Sequence, residues 1–536
     1  MPIDCAFSGC SGLTSITIPD SVTSIGYGAF RGCTGLTSIT IPDSVTSVGE
    51  DAFAECTGLT SIVIPNSVKS IGRWAFAGCT GLTSITIPDS VTSIGKDAFY
   101  NTAWYNNQSD GLVYAGKVAY KYKGTMPNNT SIVLKEGTLG ITDYAFYNCT
   151  GLTSIVIPDS VTSVGYAAFS GCTGLIKIIG PSDAVSAVAK QCDSKAIAEI
   201  VITSGTSISD SAFRDCTSLT TVTIPDSVTS IGGSAFAGCK GLMSVTIPDS
   251  VKSICNYAFY GCTGLTSIIL PDSVTSIGDG AFYNCTVLTN ITIPDSVTSI
   301  GSYAFHGCTG LTSISGSATN VSTVAKQAKP TSFTVNITSG TSIGQDAFRG
   351  CAGLTSITIP DSVTSIGLGA FSGCSKLTSI TIPGSVTCIG GSAFEDCTGL
   401  TSITIPDSVT SIGDDAFSGT SWYNNQPNGL VYAGKVAYKY KGSMPNNTSI
   451  VIKEGTLLIT EHAFEGCSGL TSVTIPDSVK SIGDDAFRDC TGLTSITFNG
   501  TIAQWSAISK GYDWKDGVSS TCKVICTDGE IPISEA

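Results

Sequence analysis

The sequence predicts a β-rich repeat solenoid: a curved rod of stacked coils, each with one short strand on the concave face and a short second strand and a helical turn elsewhere. Three observations predict it. A phenylalanine recurs every 23 residues along most of the 536-residue chain. Between these markers, apolar residues alternate with Ser and Thr in short runs ended by Pro, a pattern that suits strands. The chain is 42% hydrophobic but only 13% charged, and Gly, Ser and Thr, poor residues for helix interiors, take the place of charge.

The markers run from Phe7 through Phe30, Phe53, Phe76 and Phe99, resume at Phe146 and Phe169, continue from Phe213 to Phe305 and from Phe348 to Phe417, and end at Phe464 and Phe487, 18 in all. One unit, read from Leu36, is LTSITIPDSVTSVGEDAFAECTG. Alternation along a strand turns Ile39 and Ile41 inward and Ser38 and Thr40 outward. Pro42 ends the strand, and Asp43 and Ser44 are turn residues. Val45 and Val48 return to the core from a second extended segment. Gly49 suggests a turn with positive φ. Ala52-Phe53 and then Cys56, at i and i+3, suggest one helical turn. No unit buries these residues alone, so coils must stack like on like in continuous ladders of Leu, Ile, Phe and Cys. With strands about 4.8 Å apart, twenty-odd coils make a rod on the order of 100 Å long.

The L-x-x-I-x-I spacing of Leu36, Ile39 and Ile41, with the phrases SITIPDSVTSIG, AF and GCTGL, resembles the BspA-like leucine-rich-repeat family, of the bacterial "repeat 5" type. The match covers nearly the whole chain. The wider leucine-rich-repeat pattern places an Asn eight residues after the first Leu; here Ser44 and Ser21 stand there, so an Asn ladder is absent. The resemblance implies a surface-exposed or secreted protein of a host-associated microbe, contacting proteins of the host or of neighbouring cells.

The predicted organisation is a solenoid over residues 1–496, with divergent coils near 100–130, 176–205, 312–340 and 418–448, and a C-terminal cap over 497–536. Two 47-residue intervals, Phe99 to Phe146 and Phe417 to Phe464, are near copies. Each reads as a β-hairpin, the first with Val113, Ala115, Val118, Tyr120 and Tyr122 around Gly116-Lys117, followed by a return to frame at Ile132 and Leu134. Two further intervals hold DAVSAVAKQ and TNVSTVAKQ, where Val185, Val188 and Ala189 have helical spacing after a capping Ser182 or Asp183. In the cap, TIAQWSAISKGYDWKDGV reads as a helix with Trp505 on its apolar face, and CKVICTDGEI as a last strand. Ile3 and Phe7 already occupy repeat positions, so the chain is expected to begin inside a repeat. It is then either a fragment or a coil open to end-to-end self-association.

No chemistry converges anywhere in the sequence, and the expectation is a non-enzyme with no cofactor. Sixteen of the 22 cysteines lie three residues after a marker Phe, with Thr102 and Thr420 standing in at the hairpin coils; they read as one buried ladder. No C-x-x-C pair suggests zinc. Cys522 and Cys526 in the cap are the more plausible redox pair. His306 and His462 lie beside their markers and read as surface residues. The acid pairs Asp414-Asp415 and Asp484-Asp485 fall in turns and supply too few oxygens for calcium. No nucleophile elbow, P-loop or dinucleotide fingerprint occurs. A net charge of -14 disfavours nucleic acid. No apolar run reaches the length of a transmembrane helix, and no signal peptide is visible.

Two places could carry recognition. The outward strand positions form a Ser/Thr array, including Ser38 and Thr40, Ser84 and Thr86, and Ser402 and Thr404. That array is either a soluble face, a shallow protein-binding surface or, remotely, a water-ordering lattice suited to ice. The hairpin coils carry Trp104, Tyr105, Tyr114, Tyr120 and Tyr122, matched by Trp422, Tyr423, Tyr432, Tyr438 and Tyr440. Such aromatics either pack the hairpins or contact protein or glycan partners.

Overall fold

Within one coil, alternation decides which side chains leave water. Leu36, Val45, Phe53 and Cys56 are fully buried and Ile39 and Ile41 nearly so, while Ser38 and Thr40 are exposed. A computed structural model describes residues 2–536. The chain is a parallel-strand β-solenoid of about 21 turns, in two units, Met1–Thr286 and Val287–Ala536.

In the first unit, Pro2–Ile3, Ser24–Ile25, Ser47–Val48, Ser70–Ile71 and Ser93–Ile94 form one parallel sheet, with Ile3, Ile25, Val48, Ile71 and Ile94 in register. This is the second extended segment of each coil. The first strand forms a separate sheet: Ser61–Val63 pairs with Ser84–Thr86, and farther along Thr130–Val133, Leu152–Val156, Lys177–Gly180, Glu199–Ile202 and Thr221–Thr223 pair in parallel. The second unit repeats the scheme. Ser379–Thr381 pairs with Ser402–Thr404, and Thr448–Val451, Leu470–Ile475, Ser495–Phe498 and Lys523–Cys526 are parallel neighbours.

The third side of each coil differs from the expected helical turn. Asp51 and Glu55 have φ of 55° and 63°, and left-handed residues on either side of Phe53 stop helical propagation. They aim alternate N–H groups at the next coil, so Asp51 N donates to Arg73 O, Phe53 N to Ala75 O and Glu55 N to Ala77 O at 2.7–3.0 Å. The phenylalanine side is therefore a hydrogen-bonded ladder of turns. Gly49 also has a different reason from the one its sequence suggests. Its φ is not positive; a Cβ there would lie 2.7 Å from the backbone carbon of Gly26 in the preceding coil. Glycine is required because backbone stacks directly on backbone.

Phenylalanine rings stack through the core, with centroids 5.2–5.7 Å apart from Phe7 to Phe99. The stack is not continuous. Tyr120 and Trp104 meet Phe99 edge-on and end it. Fifteen of the sixteen ladder cysteines are buried, Cys10 being exposed. Their thiols also bond: Cys56 Sγ donates to Phe30 O and Cys79 Sγ to Phe53 O, each at 3.0 Å, and the pattern recurs through Cys490. Burial pushes Cys172, Cys216 and Cys490 up to about 12, so these thiols stay protonated and inert at neutral pH.

The missing Asn ladder has a substitute. Ser67 Oγ donates to Val45 O at 2.6 Å, Ser90 to Val68 O and Ser385 to Val363 O. In the second helical coil the buried Asn320 takes over, its Nδ2 donating to Val297 O at 3.0 Å. Ser67→Ala should therefore lower stability by about 0.5–1.5 kcal/mol, whereas Ser84→Ala on the exposed strand face should stay within about 0.5 kcal/mol. Thermal melts of the two variants check this; equal effects would remove the hydroxyl ladder as a stabilising device.

The hairpin coils fold as expected. Gly111–Ala115 and Val118–Lys123 are antiparallel, and Val118 and Ala119 then pair in parallel with Gly140 and Ile141. Thr102 replaces the ladder cysteine because a helix starts there: its hydroxyl donates to Phe99 O and accepts from Tyr105 N, capping Ala103–Asn106. The helical coils hold Ser182–Gln191 and Ala318–Ala328. Only the second has a side-chain cap, Ser317. In the first, Pro181 is the cap residue, and Ser182 lies inside the helix, its carbonyl accepting from Ser186 Oγ.

In the cap segment the predicted long helix shrinks to Ile502–Ser506, with a Thr501/Gln504 capping box and Trp505 fully buried. The following residues have a ladder edge to pair with, which outcompetes helix. Ser509–Lys510 pairs with Ser481–Ile482, and Tyr512, Trp514 and Asp516 give their carbonyls to Asp485, Phe487 and Asp489. The last strand is a hairpin, Lys523–Cys526 with Gly529–Pro532. Cys522 and Cys526 are both buried free thiols.

Candidate functional site

The hairpin aromatics sit within the packing. Tyr120 and Tyr438 are buried, and none of the ten is exposed. Trp104 and Trp422 lie edge-on to Phe99 and Phe417 at 5.1 and 5.0 Å, and Tyr105 and Tyr423 edge-on to Tyr120 and Tyr438. Tyr114 and Tyr432 accept from Lys135 N and Lys453 N at 3.0 Å, with the same lysines' ammonium groups over their rings at 4.5 and 4.2 Å. Tyr122 is half-buried, its N–H donating to Ala145 O, and Tyr440 lies 6.5 Å from Phe464. Burial pushes the Tyr120 and Tyr438 hydroxyls well above the usual tyrosine range. Two near-identical packing modules result, with little aromatic surface left for a partner.

The strand face is open. Ser38, Thr40, Ser84, Thr86, Ser402 and Thr404 are all exposed. Ser38, Thr40, Val63 and Thr86 line a shallow depression of about 620 Å³. Exposed apolar residues are scattered singly on the same strand positions, at Val63, Val133 and Ile269 in the first unit and Val451 in the second.

Most of the exposed aromatic surface lies instead on the phenylalanine side, at slots close to the marker. With Phe53 pointing inward, residues three and two before a marker and one after it can point out. In the first unit these slots hold Tyr100, Tyr144, Tyr147 and Tyr166, of which Tyr166 is 73% exposed and Tyr147 51%. Tyr144 meets Tyr147 and Tyr166 edge-on at 5.4 and 5.8 Å, and Lys96 Nζ sits 4.3 Å over the Tyr144 ring. Tyr257, Tyr260 and Tyr283 make a second patch, the last two stacked at 5.2 Å. The signal was present in the sequence: tyrosines concentrated in three slots next to the marker.

The two histidines differ. His306 is exposed and edge-on to Tyr303. His462 is not a plain surface residue: it is half-buried, with Nδ1 3.0 Å from Glu465 Oε2 and Nε2 3.8 Å from Asp414 Oδ2. Stacking also brings the acid pairs near one another. Burial, then the Asp484 and Asp414 carboxylates, raise the Glu461 carboxyl above its usual range. Among the described residues no group of three or more His, Cys, Asp or Glu could hold a metal ion, and no helix is long and apolar enough to cross a membrane.

Parallel strands on two sides, a turn ladder on the third and a core of Leu, Ile, Val and Phe define a leucine-rich-repeat solenoid. The chain belongs to the BspA-type leucine-rich-repeat family: the "BspA type Leucine rich repeat region" matches in six copies, over residues 4–108, 118–243, 230–339, 325–426 and 434–507. No curated protein matches the chain. Among solved structures, a leucine-rich repeat protein from Bacteroides ovatus is 24% identical, covering 96% of this chain and 92% of its own, at a TM-score of 0.24. The leucine-rich repeat protein of T. pallidum is 30% identical over 33% of this chain and 77% of its own, at 0.25. A leucine-rich cell surface protein from Faecalibacterium prausnitzii is 24% identical, covering 92% and 95%, at 0.19. Scores of that size carry no argument, and the family assignment rests on the repeat itself.

Proposed function

We propose that the protein is a non-catalytic, adhesin-like scaffold, secreted or held at a cell surface, that binds proteins of a host or of neighbouring cells. The repeat family is typical of protein-interaction scaffolds, and the finer reading rests on one observation. The phenylalanine side carries a tyrosine cluster in which Tyr147 and Tyr166 are exposed and the half-buried Tyr144 meets both edge-on. Tyrosine presents a large apolar face with a polar tip at little entropic cost, and it is enriched at the centres of protein interfaces.

The test is a pull-down against matrix and cell-surface proteins with the full chain and a Tyr147→Ser/Tyr166→Asn variant. Other coils carry Ser170 and Asn256 in the same two slots, so the fold should tolerate both changes. Retention of a captured partner is expected to fall about tenfold or more. A partner retained equally by both proteins would rule the cluster out as the binding surface.

A further inference from the structure

The chain is acidic, with 27 Lys and Arg against 41 Asp and Glu, yet one cavity of the second unit is lined by four cations and no carboxylate. It has a volume of about 450 Å³ and lies where the helix Ala318–Ala328 returns to the strands. Lys326, Lys329, Arg349 and Lys376 surround it, and Ala325, Pro330, Phe333 and Ala352 give it an apolar floor. That size falls within the range of roughly 300–1,000 Å³ typical of small-molecule clefts.

Local structure accounts for part of this arrangement. Lys326 and Lys329 sit in the last turn and at the C-cap, where the helix dipole favours cations. Arg349 and Lys376 come from the two following coils and have no such reason. The exposed Arg349 pairs with the half-buried Asp346 at 3.4 Å, outside the cavity lining, and Lys376 Nζ donates to Thr331 O at 2.8 Å. An exposed i,i+3 ion pair is weak, so the guanidinium is free to turn to a ligand. At the cavity wall, burial pushes the Cys351 thiol up to about 11, while Lys326 acts in the opposite direction.

The first unit supplies an internal comparison. Its helical coil carries the same VAKQ run, with Lys190 in the place of Lys326 and Arg214 in the place of Arg349. There Asp193 occupies the position of Lys329 and Asp215 that of Gly350, and Arg214 Nε lies 3.6 Å from Asp215 Oδ2. Lys190 Nζ is turned to Asp210 O at 3.0 Å. The duplicated element thus has two carboxylates, Asp193 and Asp215, beside its cations in one copy and Lys329 and Gly350 at the same positions in the other, so the excess charge does not come with the fold.

We propose that the cavity between Lys326, Lys329, Arg349 and Lys376 binds a small organic anion, a carboxylate or sulfonate carried on an apolar body. The apolar part rests against Ala325, Pro330 and Ala352, and the acid group is met by Arg349, whose planar fork suits two-oxygen recognition, and by the lysines. This site is independent of the tyrosine cluster and of any protein partner.

The experiment is calorimetric titration of the full chain with 2-naphthoate, with neutral 2-naphthylmethanol and with inorganic phosphate. The variants are Arg349→Ser and Gly350→Asp, each copying what other coils carry: Ser372 after Phe371, and Asp215, Asp396 and Asp489 at the left-handed slot with φ of 55–60°. Saturable binding of one naphthoate per chain is expected, with the alcohol and phosphate each about tenfold weaker or worse. Each variant should lose about tenfold in affinity with an unchanged melting temperature. No saturable binding, equal binding of the alcohol, equal binding of phosphate, or full affinity in both variants would each overturn the proposal.

Discussion

Phe236→Ala is expected to lower the stability of its part of the solenoid by about 3–5 kcal/mol. Phe236 is fully buried and has a ring on each side, Phe213 and Phe259, with both centroids at 5.3 Å. Its N–H is fixed to Ala258 O at 2.8 Å and its carbonyl takes the Cys262 thiol at 3.1 Å, so the backbone cannot collapse into the space the ring leaves. A cavity that cannot relax lies at the costly end of the large-to-small range. Repeats contact only their neighbours, so the damage should stay local. Hydrogen exchange is the readout: protection should fall in the coils holding Phe213, Phe236 and Phe259 and hold in the coils around Phe30 and Phe53. A uniform loss across the whole unit, or a cost below about 1.5 kcal/mol in urea titration, would show that the ring stack is not the cohesive element of the core.

Much of this core was legible because it depends only on periodicity. The inward positions of Ile39, Ile41, Val45, Val48 and Phe53, the cysteine ladder and the hairpins around Gly116 and Gly434 all follow from residue type and spacing. What the repeat text could not reveal was bonding from one coil to the next. Ser67 reads as a turn residue until Val45 O appears beneath its hydroxyl. Asp51 reads as a loop residue until its left-handed φ turns its N–H to Arg73 O. Gly49 reads as a turn with positive φ, when the constraint is a backbone in the preceding layer.

The candidate surface was less legible, for a related reason. The hairpin aromatics draw the eye because they break the repeat, but a break exposes open backbone groups that something must cover, and aromatics with a polar tip do so. Tyr144, Tyr147 and Tyr166 sit in slots that vary from coil to coil, and only stacking brings them together. In this chain the irregular coils mend the ladder, while the regular coils carry most of the variable exposed surface.

That mending role gives the second large effect. At each of the four breaks between marker phenylalanines, the marker Phe loses the Ala carbonyl that its N–H normally meets in the next coil. A side chain replaces it each time: Tyr120 hydroxyl for Phe99 at 3.0 Å, Gln191 Oε1 for Phe169 at 3.2 Å, Gln327 Oε1 for Phe305 at 3.0 Å and Tyr438 hydroxyl for Phe417 at 3.2 Å. Tyr120→Phe keeps the edge-on ring contact with Phe99 but leaves a buried N–H without a partner, which should cost about 1–3 kcal/mol; Tyr120→Ala, which also opens a cavity, should cost about 3–5 kcal/mol. The effect of the Phe variant should depend on pH. Burial raises the Tyr120 hydroxyl above its ordinary value, so the stability tied to its neutral form is complete below about pH 10 and is lost above it, where an unfolded tyrosine ionises. The Phe variant has no such group, so the gap between wild type and Tyr120→Phe should narrow as urea titrations move from neutral pH to above pH 10. A gap that is absent at neutral pH would mean the hydroxyl does not cap the ladder, and one that widens with pH would contradict its burial in the neutral form.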